Sequence, residues 1–109
     1  MITNLFSMEN KIAIVTGGSR GLGRAIAEAF LQAGAKRVYI TARNQAECLE
    51  TAEHLSKLSP HGECIALAGD LSQSEDLMRI VYTLKEKENS IDVLVFDELF
   101  TQNFVFIFV

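Results

Sequence analysis

No apolar run in this 109-residue chain approaches the roughly 20 residues that a membrane-spanning helix requires, so none is expected. Positive charge is also scarce. Ten Lys and Arg stand against 14 Asp and Glu, a net charge of −4, with no basic cluster to neutralise a nucleic-acid backbone. Only two cysteines occur, Cys48 and Cys64, with neither a C-x-x-C pair nor a histidine cluster beside them. That usage points to reduced thiols, core packing and a cytoplasmic setting rather than to a disulfide framework or a metal site. Met1–Ser7 has no basic segment and no long apolar core, so no signal peptide is expected. Charged residues make up 22% and hydrophobic residues 49%, which is too apolar for disorder. A single domain at the small end of the usual range follows.

The apolar residues that are present alternate between two periods. Lys11–Thr16 is almost continuously apolar, as parallel strands covered on both faces tend to be. From Leu22 to Ala33, Leu22, Ile26, Ala27, Phe30 and Leu31 recur at helical spacing, with Gly34 placed to stop the helix. Val38–Thr41 is β-branched and aromatic, a second strand. A helix over Gln45–Leu58 puts Cys48, Leu49, Ala52 and Leu55 on one face and ends at Ser59-Pro60-His61-Gly62. Cys64–Ala68 reads as strand three. Ser72-x-x-Glu75 has the form of a capping box opening a third helix, whose apolar face is Leu77, Ile80, Val81 and Leu84. Ile91–Val95 is strand four. Strands alternating with helices over short connections imply an α/β fold with a parallel sheet and right-handed crossovers.

Between the first strand and the first helix stands Thr16-Gly17-Gly18-Ser19-Arg20-Gly21-Leu22-Gly23. Glycine lets the backbone turn sharply and approach a phosphate without a Cβ in the way. The helix that starts there offers unpaired N–H groups and a partial positive charge to an anion. The order strand, glycine turn, helix is what a dinucleotide pyrophosphate needs.

With Thr16, the flanking elements and Asp70-Leu71 after strand three, the stretch from Met8 to Val95 resembles the short-chain dehydrogenase/reductase family. Within it the chain is most similar to the group containing the 3-oxoacyl-carrier-protein reductases. The resemblance implies a Rossmann-type three-layer fold with strand order 3-2-1-4, incomplete here. Residues 1–95 would form a partial NAD(P)-binding domain and 96–109 a divergent hydrophobic tail. It also implies cofactor contacts from Thr16, Gly17, Ser19, Arg20, Gly21, Leu22, Gly23, Arg43, Asp70 and Leu71, with Asp70-Leu71 beside the adenine. An NAD-selecting site places a carboxylate about 20 residues past the glycines. Here Thr41-Ala42-Arg43-Asn44 has no acid, and Arg43 offers a planar fork for phosphate oxygens. NADP(H) is therefore favoured over NAD(H), with Arg20 and Arg43 as a cationic clamp on the 2′-phosphate. His54 and His61 carry no assigned role.

The family pattern stops at Phe96. Where relatives carry Asn-Asn-Ala-Gly after strand four, this chain has Phe96-Asp97-Glu98-Leu99. The family's catalytic serine, tyrosine, lysine and asparagine lie beyond that point. The only tyrosines here are Tyr39 and Tyr82, and neither has a lysine four residues later. Tyr82 and Lys85 are three apart and fall on the third helix. The expectation is a chain truncated after strand four that binds a dinucleotide and does not turn over substrate alone; the alternative is a non-enzymatic binding or protein-interaction module. Full-length relatives are expected to be homo-oligomers. Five of the seven phenylalanines lie in the last 14 residues. Phe104–Val109 is uncharged and β-prone, which predicts self-association. The link at Asp97–Asn103 is too short for a parallel crossover, so Phe104–Val109 either pairs with strand four in antiparallel fashion or stays irregular and unpaired.

Overall fold

The computed structural model describes residues 7–59, 61–98 and 103–108. The elements run β1 (Ile12–Thr16), α1 (Gly21–Gln32), β2 (Arg37–Thr41), α2 (Gln45–Leu58), β3 (Glu63–Ala66), α3 (Ser74–Lys87), β4 (Val93–Glu98) and β5 (Asn103–Phe108). They build one sheet in the order β3-β2-β1-β4-β5. The first four strands are parallel, and Ile14 lies opposite Tyr39 on one side and Leu94 on the other. The expected 3-2-1-4 order and the α/β architecture are therefore both present.

Each strand divides its side chains between two faces, because successive residues point to opposite sides. Ala13, Val15, Val38, Ile40, Cys64, Val93 and Val95 face α1 and α2, and meet Ala27, Phe30 and Leu31 from α1 and Cys48, Ala52 and Leu55 from α2. This is the main core, and both cysteines are buried in it with free thiols. Ile12, Ile14, Tyr39, Ile65 and Leu67 belong to the other face, where α3 contributes Ile80 and Leu84. Only that one helix covers this face among the described residues. Phe96 stays 43% exposed and Leu94 only half-buried, so the part of the face over β4 is open.

The helix ends follow their sequence signals except at one point. Gly34 adopts φ +103 directly after α1, as a glycine stop should, and its N–H bonds to Leu31 O at 3.1 Å. Asn44 caps α2, its side-chain oxygen accepting from Glu47 N at 3.0 Å. The Ser72-x-x-Glu75 capping box does not form. The Asp70 carboxylate takes both the N–H (3.0 Å) and the hydroxyl (2.7 Å) of Ser72, so α3 begins at Ser74 with Gln73 as an N-cap lacking a side-chain bond. The apolar face expected for α3 is also shallower than its pattern suggests: Ile80 is buried, whereas Leu77 is 43% exposed. Strand three is shorter at its C-terminal end than expected, stopping at Ala66, though Leu67 N still reaches Ile40 O at 2.8 Å.

Past Phe96 the backbone does not become irregular. β4 continues to Glu98, and β5 lies antiparallel to it, with Val95 opposite Phe106 and Glu98 opposite Asn103. The outer edge of β4 is thus occupied by β5, and the sheet's free edge lies one strand further out. Residues 99–102 lie outside the described residues.

At the opposite end of the sheet from the glycine turn, the start of β2 is tied to the end of α3. Glu88 keeps only 3% of its side chain exposed. Its carboxylate accepts from Arg37 Nε, from Arg37 Nη2 at 2.9 Å and from the hydroxyl of the fully buried Tyr39 at 2.5 Å. The Arg37 contact, more than any other, holds the Glu88 carboxyl below its ordinary pKa. Burial in turn, followed by the bond to Glu88, pushes the Tyr39 phenol up.

Candidate functional site

The C-terminal ends of the parallel strands carry the candidate residues. β1 ends at Thr16, whose hydroxyl donates to Val95 O at 3.4 Å and so bridges from β1 to β4. In an open α/β sheet a ligand crevice lies at the point where strand order reverses, which here is between these two strands. The chain then turns toward β2, with Gly17 N and Gly18 N both donating to Thr41 O (2.8 and 3.2 Å).

Two glycines make the turn possible in different ways. A Cβ on Gly23 would lie 2.3 Å from Gly17 O, so nothing larger fits while the turn packs on the first turn of α1. Gly21 is at φ +62, and a Cβ there would meet nothing within 4 Å. That is open space beside a helix N-terminus. Arg20, the N-cap of α1, makes no side-chain capping bond, and no acid stands in the first turn. The N-terminal N–H groups of α1 consequently border this open space, a cradle that a Cβ on Gly21 would enter. These features fit a phosphate group.

The remaining candidates lie around that cradle. Ser19 is buried: its hydroxyl donates to Glu47 Oε1 at 3.3 Å and its carbonyl accepts from Thr51 Oγ1 at 2.8 Å. Arg20 is largely exposed, with Nε 3.9 Å from the same Glu47 oxygen. Leu22 is 59% exposed on α1. Arg43 follows β2 and lines a hollow of about 450 Å³ with Ala68, Gly69 and Arg79 among others. Arg79 reaches across to Ala68 O at 2.9 Å and to Asp76 at 3.4 Å. Asp70 is held below its usual pKa by its bonds to Ser72 and by the nearby Arg43 guanidinium. The half-buried Leu71 side chain packs against the cluster of Tyr39, Leu67 and Ile80.

Sequence reasoning missed Glu47. The absence of an acid holds for residues 41–44, but not for the space around Arg20, where Glu47 opposes the arginine. Its signal was the Asn44-x-x-Glu47 spacing, which puts an acid in the first turn of a helix that starts beside the glycine turn.

A sequence model of the short chain dehydrogenase family matches residues 11–97. The chain belongs to that family. It is 44% identical over 90 residues to a rhamnolipids-biosynthesis 3-oxoacyl-[acyl-carrier-protein] reductase of Pseudomonas aeruginosa, matching 83% of this chain and 34% of that protein. Against the short-chain dehydrogenase/reductase homolog YusS of Bacillus subtilis it is 33% identical over 86 residues, 79% of this chain and 77% of YusS. Among solved structures, a metagenomic short-chain oxidoreductase in complex with NADP superposes with a TM-score of 0.71 at 31% identity, over 82% of this chain and 39% of that one. Relative to the Pseudomonas reductase, then, the chain spans about a third of the length. Family membership and fold agree with the reading made from the glycine motif and the strand pattern. No helix among the described residues is long and apolar enough to cross a membrane.

Proposed function

We propose that this chain is the dinucleotide-binding portion of an NADP(H)-dependent short-chain oxidoreductase of the carbonyl or 3-oxoacyl reductase type. The observation that carries this is the open space at Gly21 beside the N-terminus of α1, which has no side-chain cap. When bound, the nicotinamide supplies a hydride donor or acceptor. The chain's own residues bind and orient it. The N-terminal N–H groups of α1 face the pyrophosphate, Thr16 holds the crevice between β1 and β4, and Asp70 stands at the adenine end. Arg43, which makes no ion pair among the described residues, receives the 2′-phosphate together with Arg20. The NADP complex of the metagenomic relative supports the choice of cofactor.

NADPH should accordingly bind more tightly than NADH to the 109-residue chain, and Arg43→Asp should reverse the order by placing a carboxylate at the 2′ position. Titration by nucleotide fluorescence or calorimetry tests this. Equal curves for the two cofactors on the unmutated chain would remove the reading. Turnover of 3-oxoacyl or other ketone substrates by this polypeptide alone is expected to be undetectable. It contains no tyrosine followed four residues later by lysine, and such a general acid contributes roughly 10²–10⁴-fold. A substrate-dependent loss of NADPH absorbance that Gly21→Trp abolishes would refute that.

A further inference from the structure

We infer that Glu47 sets how strongly this chain separates NADPH from NADH, by competing with the 2′-phosphate for Arg20 and Ser19. The inference rests on the cofactor reading above and concerns a residue outside the glycine motif. One carboxylate oxygen, Glu47 Oε1, takes the Ser19 hydroxyl at 3.3 Å and stands 3.9 Å from Arg20 Nε. Both partners belong to the turn that borders the cradle. The carboxylate is 37% exposed, and its backbone is held in place. Asn44 caps the Glu47 N–H at 3.0 Å and fixes its place in the first turn of α2. Thr51, one turn further on, bonds Ser19 O at 2.8 Å and clasps α2 to the turn.

The consequence is electrostatic. A phosphate dianion arriving at Arg20 meets a guanidinium already shared with a carboxylate, and meets that carboxylate's charge as well. To be bound there it must draw Arg20 and Ser19 away from Glu47. A cofactor with a free ribose hydroxyl makes no such demand. Glu47 is an acceptor of the kind that holds ribose hydroxyls, the group that residues 41–44 lack. Arg43, which lies near Asp70 but makes no ion pair among the described residues, is left as the other cation. Preference for the phosphorylated cofactor is therefore smaller than two arginines acting together would produce.

The test is a titration of the 109-residue chain and its variants with NADPH and with NADH. Glu47→Gln keeps the chain length and the capping capacity of the position, so the start of α2 is retained. It should tighten NADPH about fivefold, the scale of one exposed charge pair, and leave NADH within about twofold. In an Arg20→Met background the same change should produce no NADPH gain, because the shared cation is gone. A purely structural role for Glu47 would instead shift both cofactors alike in both backgrounds. If NADPH binds and Glu47→Gln leaves the NADPH-to-NADH ratio unaltered, the inference falls while the cofactor reading stands. If the unmutated chain binds neither nucleotide, both fall.

Discussion

Glu88→Ala should lower the unfolding free energy by about 3 kcal/mol, the loss typical of breaking a buried ion pair from one side. For a domain of this size each kcal/mol moves Tm by roughly 4–8 °C, so the variant should melt about 12–24 °C lower. The reason is that truncation leaves two polar groups without their partner: the Arg37 guanidinium and the buried Tyr39 hydroxyl both donate to Glu88. Arg37→Met with Glu88→Met should be milder than Glu88→Ala, since no unpaired ion remains and only the Tyr39 hydroxyl loses its partner. The pH dependence follows from the direction of the shift. The Glu88 carboxyl lies lower in the folded chain than in the unfolded one, so its contribution is complete above the ordinary glutamate pKa of about 4.3. It is lost as pH falls further through the depressed folded value. Tyr39 acts in the other direction. Its raised phenol contributes fully below an ordinary pKa of about 10, and that contribution is lost progressively in more alkaline solution. Thermal melts between pH 2 and 11 read both limbs. A Glu88→Ala variant with unchanged Tm and an unchanged acid limb would show that the cluster contributes nothing.

Gly23→Ala and Gly21→Ala should part company, although the two glycines are two residues apart. The Gly23 Cβ would meet backbone, with Gly17 O at 2.3 Å and Gly17 C at 2.9 Å, and backbone cannot rotate away as a side chain can. Overpacking of this kind costs about 1–3 kcal/mol, and here it also opens the turn that forms the cradle. Both stability and NADPH binding should fall. At Gly21 the new methyl meets no atom, and the fold loses only the about 1–2 kcal/mol of placing an L-residue at positive φ. Its methyl, however, enters the space assigned to the phosphate. Nucleotide binding should therefore be lost from a protein that still melts cooperatively. Chemical denaturation paired with nucleotide titration distinguishes the two. A Gly21→Ala protein that binds NADPH as the parent does would mean that the cradle holds no phosphate.

The fold was legible wherever a single periodicity governed a segment. β1 and β2 are apolar on both sides because both faces of the sheet are covered there. α1 and α2 carry stripes that match the core they meet, and Gly34 stops α1 by the conformation only glycine takes easily. α3 was legible as an element but not at its start. Ser72 has the right spacing from Glu75, yet Asp70 lies nearer and takes both its N–H and its hydroxyl. β5 was less legible, since Phe104–Phe108 is apolar at every position and has no alternation to orient a face. Only the short link to β4 restricted it to antiparallel pairing, and that pairing is present. At the site, the glycine turn stood out because its chemistry is local. Glu47 did not, because its place beside Arg20 is created by α2 folding back across the turn, a contact between residues 27 positions apart.

The clasp between β2 and α3 also decides how this protein looks to a spectrometer. The chain has no tryptophan and two tyrosines, so its near-ultraviolet signal at wavelengths beyond the phenylalanine bands is phenolic. Tyr82 is 63% exposed to solvent, whereas Tyr39 is enclosed with its hydroxyl held by a carboxylate. An ordered aromatic circular dichroism band therefore reports chiefly on Tyr39, and its disappearance marks release of α3 from the sheet. Folding of the half of the sheet away from the glycine turn can be followed with no label introduced.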